Sequence, residues 1–357
     1  MGDKARAIET FNDARAVASP LYQQAIAPAT PDTDFSTAFK PLVQFSVYMN
    51  EFLNYVVNKL VFQVVESKSY ENKYSMLKRP GFPLGTDYEY NYINPAQARD
   101  YSDTLGDTLL NRKAADVKTL YFRRNRQDQY WVTIPEALLT GAFTQWEQLD
   151  DFITGMIRSL YTGNAIDEQN LVKSLLVESV NQNVIRTQSI TYDLDADPAA
   201  ASLNLLKASQ ALAYNFSFPS SSYNNWEAYA KANGIEDATP AITWVEDNDV
   251  FIFIRVDALV NAKTEVLAGA FNLDQTDFKQ RIVPVDSFSY RKKDGTIVTN
   301  DNIIAIVADR KSYEYRDNLM QASDFFNAAG LYRNHYLTVF QTYAINPLGN
   351  AVAILKA

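Results

Sequence analysis

The clearest pattern in the chain is helical and follows Pro135. Trp146, Leu149, Ile153, Met156 and Leu160 recur at steps of three and four, with Phe143, Phe152 and Ile157 widening the stripe. Gly163-Asn164 predicts a break or kink. The pattern resumes from Asp167 to about Val180, with Leu171, Leu175 and Leu176 on one face, so the two runs predict a long, bent helix. A second stripe of Phe45, Tyr48, Met49, Phe52, Val56, Leu60 and Val61 predicts a helix over 45–61, followed by a strand over 62–66. Ahead of it, residues 1–44 are small and polar and carry Pro20, Pro28, Pro31 and Pro41. They read as an extended arm with one short helix near 5–17, a kind of segment that orders against a neighbour or stays mobile.

Between 67 and 126 apolar runs are few, and Pro80, Gly81, Pro83, Gly85 and Gly106 punctuate the chain. That is too long for an ordinary loop, whose usual length is about 4–6 residues. Strand-like legs at 88–93 and 119–122 predict an extended hairpin reaching away from the core. Further on, a helix is expected from Asp195–Pro198 to about 214, with others over 224–232 and 256–271. Strands are expected at 250–255, buried on both faces, and at 281–285 and 303–307, with Asp294-Gly295 as the turn between the last two. Two long strands, 331–345 and 351–355, close the chain around Pro347-Leu348-Gly349. The mixture is α+β.

Composition removes most chemistry. The 357 residues include no Cys and a single His, His335, which excludes thiolate sites and leaves too few ligands for the usual zinc constellations. No cofactor and no catalytic residue is expected. No apolar stretch approaches the roughly 20 residues that span a bilayer, and the polar N-terminus predicts no signal peptide, so no membrane partner is expected. Aromatic residues make 13% of the chain, which suits broad subunit contacts as well as a core. The net charge of −9 argues against tight nucleic-acid binding, leaving only weak contact with DNA.

A few clusters invite a functional reading. Asp193, Asp195 and Asp197 alternate like the start of a calcium loop, but Pro198 and Asn204 stand where Gly and Glu are required, so a loop capping the next helix is favoured. Glu246, Asp247 and Asp249 offer a carboxylate pair for a hydrolase or binding module, with nothing to set their separation. Arg123, Arg124 and Arg126 form a tight basic cluster, read as intersubunit ion pairs ahead of DNA phosphate contacts. His335, within an aromatic strand, reads as a satisfied sheet residue rather than a ligand.

Several short blocks, taken in order, resemble the major capsid protein of phi-29-like podoviruses. They include Asn50-Glu51-Phe52-Leu53, Pro83-Leu84-Gly85, Val117-Lys118-Thr119-Leu120, Arg124-Asn125-Arg126-Gln127 and the aromatic helix 143–161. Ala270-Phe271-Asn272, Thr276-Asp277-Phe278, Asp317-Asn318-Leu319, Gly330-Leu331-Tyr332, Gln341-Thr342 and Asn350-Ala351-Val352-Ala353 continue the series. The resemblance implies the Hong Kong 97-type capsid fold, with an N-terminal arm and first helix over 1–66 and an extended E-loop over 67–132. It further implies a P-domain with a long spine helix over 133–190, an A-domain over 191–324 and returning P-domain strands over 325–357. The C-terminal immunoglobulin-like module of some relatives is not expected, because the sequence stops at Ala357.

The function implied is a major capsid protein of a short-tailed phage, self-assembling into hexamers and pentamers of an icosahedral shell around double-stranded DNA. The resemblance also implies a scaffolding protein, a portal and head fibres as partners, assembly in the host bacterial cytoplasm and residence in the virion. Gly81, Gly85 and Gly163 are candidate hinges for placing one sequence in several shell positions. A portal or collar protein is the other virion reading.

Overall fold

The structure is a computed structural model that describes residues 3–45, 47–49, 51–52, 55, 70–82, 87–98, 112–135, 146–235, 238–265, 282–330 and 332–357. Among these the elements are, in chain order, α1 (Asp3–Val17), α2 (Pro20–Ala25), α3 (Phe35–Gln44), β1 (Tyr88–Ile93), β2 (Val117–Phe122), β3 (Arg126–Pro135) and α4 (Trp146–Asn181). They continue with β4 (Arg186–Ile190), α5 (Pro198–Asn215), α6 (Trp226–Ala232), β5 (Val250–Arg255), α7 (Val256–Glu265) and β6 (Ile282–Val285). The last are β7 (Ser289–Arg291), β8 (Ile297–Thr299), β9 (Ile303–Asp309), β10 (Tyr313–Asn327), β11 (Tyr332–Ile345) and β12 (Ala351–Lys356). The chain divides into two compact units, one of residues 1–73, 127–168 and 319–340, the other of 74–126, 169–318 and 341–357.

In the first unit the N-terminal residues are folded, not extended. Ile8, Phe11 and Ala14 give α1 an apolar stripe, and they pack with Tyr22, Ile26, Phe39, Leu42, Met49 and Phe52. Phe39 contacts Phe11 and Phe52, each with ring centroids 5.5 Å apart. The prolines do not prevent this, because Pro20 sits in the first turn of α2, where its missing N–H is no loss. Asn12 and Ala29 exchange two hydrogen bonds of 2.8 Å, and Arg15 donates to the carbonyls of Ile26 and Gln23, which closes the connection. Residues 47–49, 51–52 and 55 are helical as expected, whereas 56–61 and the strand expected at 62–66 lie outside the described residues. Leu337 and Val339 of β11 reach the same core. The helix α4 runs through Gly163-Asn164 without the expected break, and Asn164 donates to Glu168 one turn on, at 3.0 Å, with both side chains buried.

The second unit is built on a five-stranded sheet in the order β4-β12-β9-β5-β6. β9 is buried at every position, as a central strand covered on both faces must be. One face, with Phe253, Ile306 and Ala308, packs against Val172, Leu176 and Val180 of α4. The other, with Ile252, Ile254, Val307 and Ile354, packs against Leu205 and Leu212 of α5 and Ala258 of α7. Asp294-Gly295 does turn the chain, but between β7 and β8, a small hairpin inserted between β6 and β9. The expected extension of α7 over 266–271 and the strand start at 281 lie outside the described residues.

His335 sits buried in β11, its Nδ1 without a hydrogen-bond partner. Burial, with help from Arg333 and against the pull of Asp324, lowers its pKa to about 4. Asp309, at the end of β9, is pushed up to about 6, chiefly by burial. The two groups act in opposite directions. Neutral His335 stabilises above its ordinary pKa of about 6.5, and this is lost as pH falls toward 4. Protonated Asp309 stabilises below its ordinary value, and that is lost as pH rises through about 6. We expect His335→Gln to gain stability relative to the natural chain as pH is lowered from 6.5 to 4, by up to about 3 kcal/mol. Asp309→Asn should gain relative to the natural chain as pH rises from about 4 to 6 and level off above that. Denaturant midpoints across pH 4–8 check both; parallel curves for all three proteins would sink the assignment.

Candidate assembly surface: an anchored hairpin

Residues 74–82 form a strap that leads into β1. Tyr74 and Leu77 are buried in the layer between α4 and the sheet, and a single 3-10 turn over Ser75–Leu77 brings the chain to Lys78. Arg79 then lies beside Arg316 as in a parallel bridge, with its N–H donating to the Tyr315 carbonyl at 2.9 Å. The Glu314 carboxylate is fully buried and takes a charge-assisted bond from each side, Arg79 Nη1 at 2.8 Å and Arg316 Nε at 2.9 Å. Arg316 also donates to the Pro80 carbonyl at 2.9 Å and covers the Tyr88 ring at 4.4 Å. Lys78 pairs with Asp317 at 2.7 Å. Gly81 passes so close to β10 that an added Cβ would stand 1.9 Å from the Asp317 carbonyl oxygen, so only glycine fits.

The strap delivers β1 to β2 in an antiparallel pair running from Tyr88↔Phe122 to Ile93↔Val117. Alternation along the strands gives the hairpin two different faces. Tyr88, Tyr90, Tyr92, Leu120 and Phe122 turn inward onto Trp226, Ala230, Ala241 and Leu348. The hairpin's far end is tied down too. Asn94 donates to the Pro240 carbonyl and accepts from the Ile242 N–H, both at 2.9 Å, and buried Lys118 bonds Asp116 at 2.6 Å. The two strand legs of the expected excursion thus lie on their own unit, whereas residues 99–111 between them are outside the described residues. The outward face carries Ile93, Val117 and Tyr121, the first and last more than 60% exposed.

The arginine cluster is split by this geometry. Arg123 closes the base of the hairpin through three bonds to Asp87, at 2.8, 3.1 and 3.3 Å, and holds the Asp87 carboxyl below its usual range. Arg124 is half-buried. Arg126 is buried and donates to Gln341, so its place is inside the chain and not at a subunit contact. Asn125 exchanges bonds with the Tyr343 backbone at 2.6 and 2.9 Å. Of the glycines expected as hinges, Gly81 is pinned under Asp317. Gly163 sits within α4, with the Tyr130 ring at 3.5 Å from where its Cβ would be, and Gly85 lies outside the described residues.

The acidic candidates are also local structure. Asp193 accepts from the N–H groups of Asp195 and Ala196, and Asp197 caps α5 by accepting from Ala200 at 3.0 Å. Glu246 starts the 3-10 turn Asp247–Asp249 ahead of β5. Among the described residues no group of three or more His, Asp or Glu side chains could hold a metal. Sequence reasoning missed the Arg79–Glu314–Arg316 triad, in which Arg79 and Glu314 are 235 residues apart in the chain. Pro80-Gly81 was its one local trace.

Removing the negative member of such a triad leaves two guanidiniums facing each other out of water. We expect Glu314→Gln to cost about 3–5 kcal/mol, and Gly81→Ala to displace the strap with a similar loss. Asp87→Asn, at the exposed pair, should leave the denaturant midpoint unchanged. Equal midpoints for all four proteins would show that the triad anchors nothing.

The profile of the Phi29-like phage major capsid protein family matches residues 11–355. The major capsid protein of Bacillus phage PZA is 26% identical over 308 residues, which cover 86% of this chain and 64% of that protein. The chain therefore spans a little under two thirds of that relative's length. The major capsid protein of Streptococcus phage Cp-1 is 24% identical over 346 residues, 93% of this chain and 90% of that protein. A chain in the capsid structure of Staphylococcus phage Andhra has the same fold, with a TM-score of 0.63 at 13% identity over 82% of this chain and 86% of that one. The architecture is the Hong Kong 97-type α+β capsid fold. With a family match running through nearly all of its length, the chain belongs to the Phi29-like phage major capsid proteins.

Proposed function

We propose that the chain is the shell subunit of a short-tailed double-stranded DNA phage, assembling into the hexamers and pentamers of an icosahedral head. The family match over residues 11–355 carries this reading. In it, the strap and hairpin within 67–132 act as the E-loop, α4 as the spine helix of the P-domain, 191–324 as the A-domain and 325–357 as the returning strands. The function is one of surfaces and needs no catalytic group. A scaffolding protein, a portal and head fibres are the expected partners. Assembly takes place in the host bacterial cytoplasm, and the product is the virion. Contact with the packaged DNA is weak, in keeping with a net charge of −9.

Ile93, Val117 and Tyr121 favour the hairpin's outward face as a subunit contact, because apolar side chains on a rigid, anchored ribbon gain from burial without much ordering cost. Arg123 is proposed to flank that contact with Arg124. Many modest contacts of this kind, each repeated around a closed shell, add through multivalency.

Val117→Lys with Tyr121→Lys should leave the melting temperature unchanged and abolish shells. Deleting the hairpin would be a poorer test, since it would also expose Trp226 and Leu348. Sedimentation and negative-stain electron microscopy read the outcome. Normal shells from the double variant would remove the hairpin from the interface. Rings of fixed number from the natural chain, without closed shells, would favour a portal or collar. A protein that stays a small oligomer under all conditions would rule out the shell reading.

A further inference from the structure

The five-stranded sheet has two edges, and the segments that follow the two edge strands differ in charge. β6 forms one edge and continues into the β7–β8 hairpin, whose tip reads Arg291-Lys292-Lys293-Asp294-Gly295, all of it exposed. Counting one charge each, three cations and Asp294 leave +2 on five residues of a chain that is −9 overall. The tip is rigid. Lys292 N–H donates to the Thr296 carbonyl at 2.8 Å, and Asp294 takes the Thr296 N–H at 2.9 Å. Gly295 supplies the φ of +88° that the turn requires. Asn170 of α4 clasps the Arg291 backbone with two bonds, at 2.7 and 2.9 Å, and Tyr290 donates to Glu178 at 2.6 Å.

β4 forms the other edge. Arg186, Thr187, Gln188 and Ser189 are exposed along it, Arg186 at the start of the strand with its Nε donating to the Asn224 carbonyl at 2.9 Å, and at the other end the chain continues into the exposed Asp193, Asp195 and Asp197. β4 runs parallel to β12, and β5 and β6 run parallel to each other, while β9 opposes both β12 and β5. The carboxyl ends of β4 and β6 therefore point the same way. The basic hairpin and the acidic loop leave the same end of the sheet from opposite edges, four strand spacings or about 19 Å apart. Strand-to-strand pairing is hindered at the β6 edge, because Pro284 has no N–H to offer.

We propose that the Arg291–Lys293 tip of one copy docks on the β4 edge of a second copy, beside Asp193, Asp195 and Asp197, as a head-to-tail contact that closes a ring of subunits. This rests on the self-assembly reading. A ring needs two different, complementary patches on each subunit, and these are two of opposite sign placed on opposite edges. Packaged DNA would also attract the tip, but only the second copy explains why the opposite charge flanks the other edge.

The absence of cysteine makes the test clean. Lys292→Cys and Asp195→Cys in one chain, oxidised under assembly conditions, should give a ladder of disulfide-linked oligomers ending at the ring size. Either substitution alone should stop at dimers. A bond within one chain is out of reach across the sheet. In parallel, Arg291→Glu, Lys292→Glu and Lys293→Glu together should leave 40.3 kDa protomers by sedimentation. Adding Asp195→Lys and Gln188→Lys to the same chain should restore capsomers. No ladder beyond dimers, or no restoration, overturns the proposal. Normal assembly of the tip-reversed chain with a weakened, less salt-dependent DNA affinity overturns it in favour of a phosphate contact. If the natural chain forms no capsomers at all, the shell reading falls first, and the inference with it.

Discussion

One buried carboxylate organises much of what the second unit presents. Glu314 is fully buried between Arg79 and Arg316, and each of those residues has a further role. Arg79 holds the strap through its backbone, and Arg316 bonds the Pro80 carbonyl and covers Tyr88, the first residue of β1. Desolvating three charges is expensive, and a hydrophobic cluster of equal volume would serve stability as well or better. What charges add is direction. A guanidinium fork fixes angles as well as distances, so the strap enters the hairpin along one path, and Gly81 under Asp317 leaves no room for another.

The same strand, β10, supplies both sides of this arrangement. Tyr313 and Tyr315 face the layer shared with α4, while Glu314 lies between them on the strap side. The period of two along an extended chain makes this possible. It also gives the hairpin its two characters. Inward aromatics fasten it to α6, and outward Ile93, Val117 and Tyr121 remain available. A surface offered on an anchored ribbon loses less entropy when it meets a partner than one on a loose arm would. That matters for a subunit whose contacts are individually modest.

The basic residues show how tertiary placement sorts a sequence cluster. Arg123, Arg124 and Arg126 look alike on paper. In the fold Arg123 closes the hairpin's base at the surface, while Arg126 is buried against Gln341. The tip at 291–293 is exposed and held in a turn, which makes it the more usable positive surface.

The sequence alone determined the elements whose signal is local. The α4 stripe, the doubly buried β5, the Asp197-capped α5 and the closing strands β11 and β12 were all legible, because periodicity and capping are set by neighbours within a turn or two. The ordered motifs pointed to the capsid family by the same token. Tertiary structure decided the rest. β10 was unreadable because Glu314, Arg316 and Asp317 interrupt its apolar alternation, and the partners that make those charges tolerable, Lys78, Arg79 and Pro80 among them, lie far away in sequence. The N-terminal arm looked extended because its prolines read as breakers, yet Phe11 and Tyr22 find a shared core with Phe39 and Phe52. Gly163 read as a break, but glycine weakens a helix by only about 1 kcal/mol, and packing on both sides of it outweighs that. A pattern along the chain reports which face of an element is apolar; what that face meets, and which charges can be buried beside it, is settled only when distant segments come together.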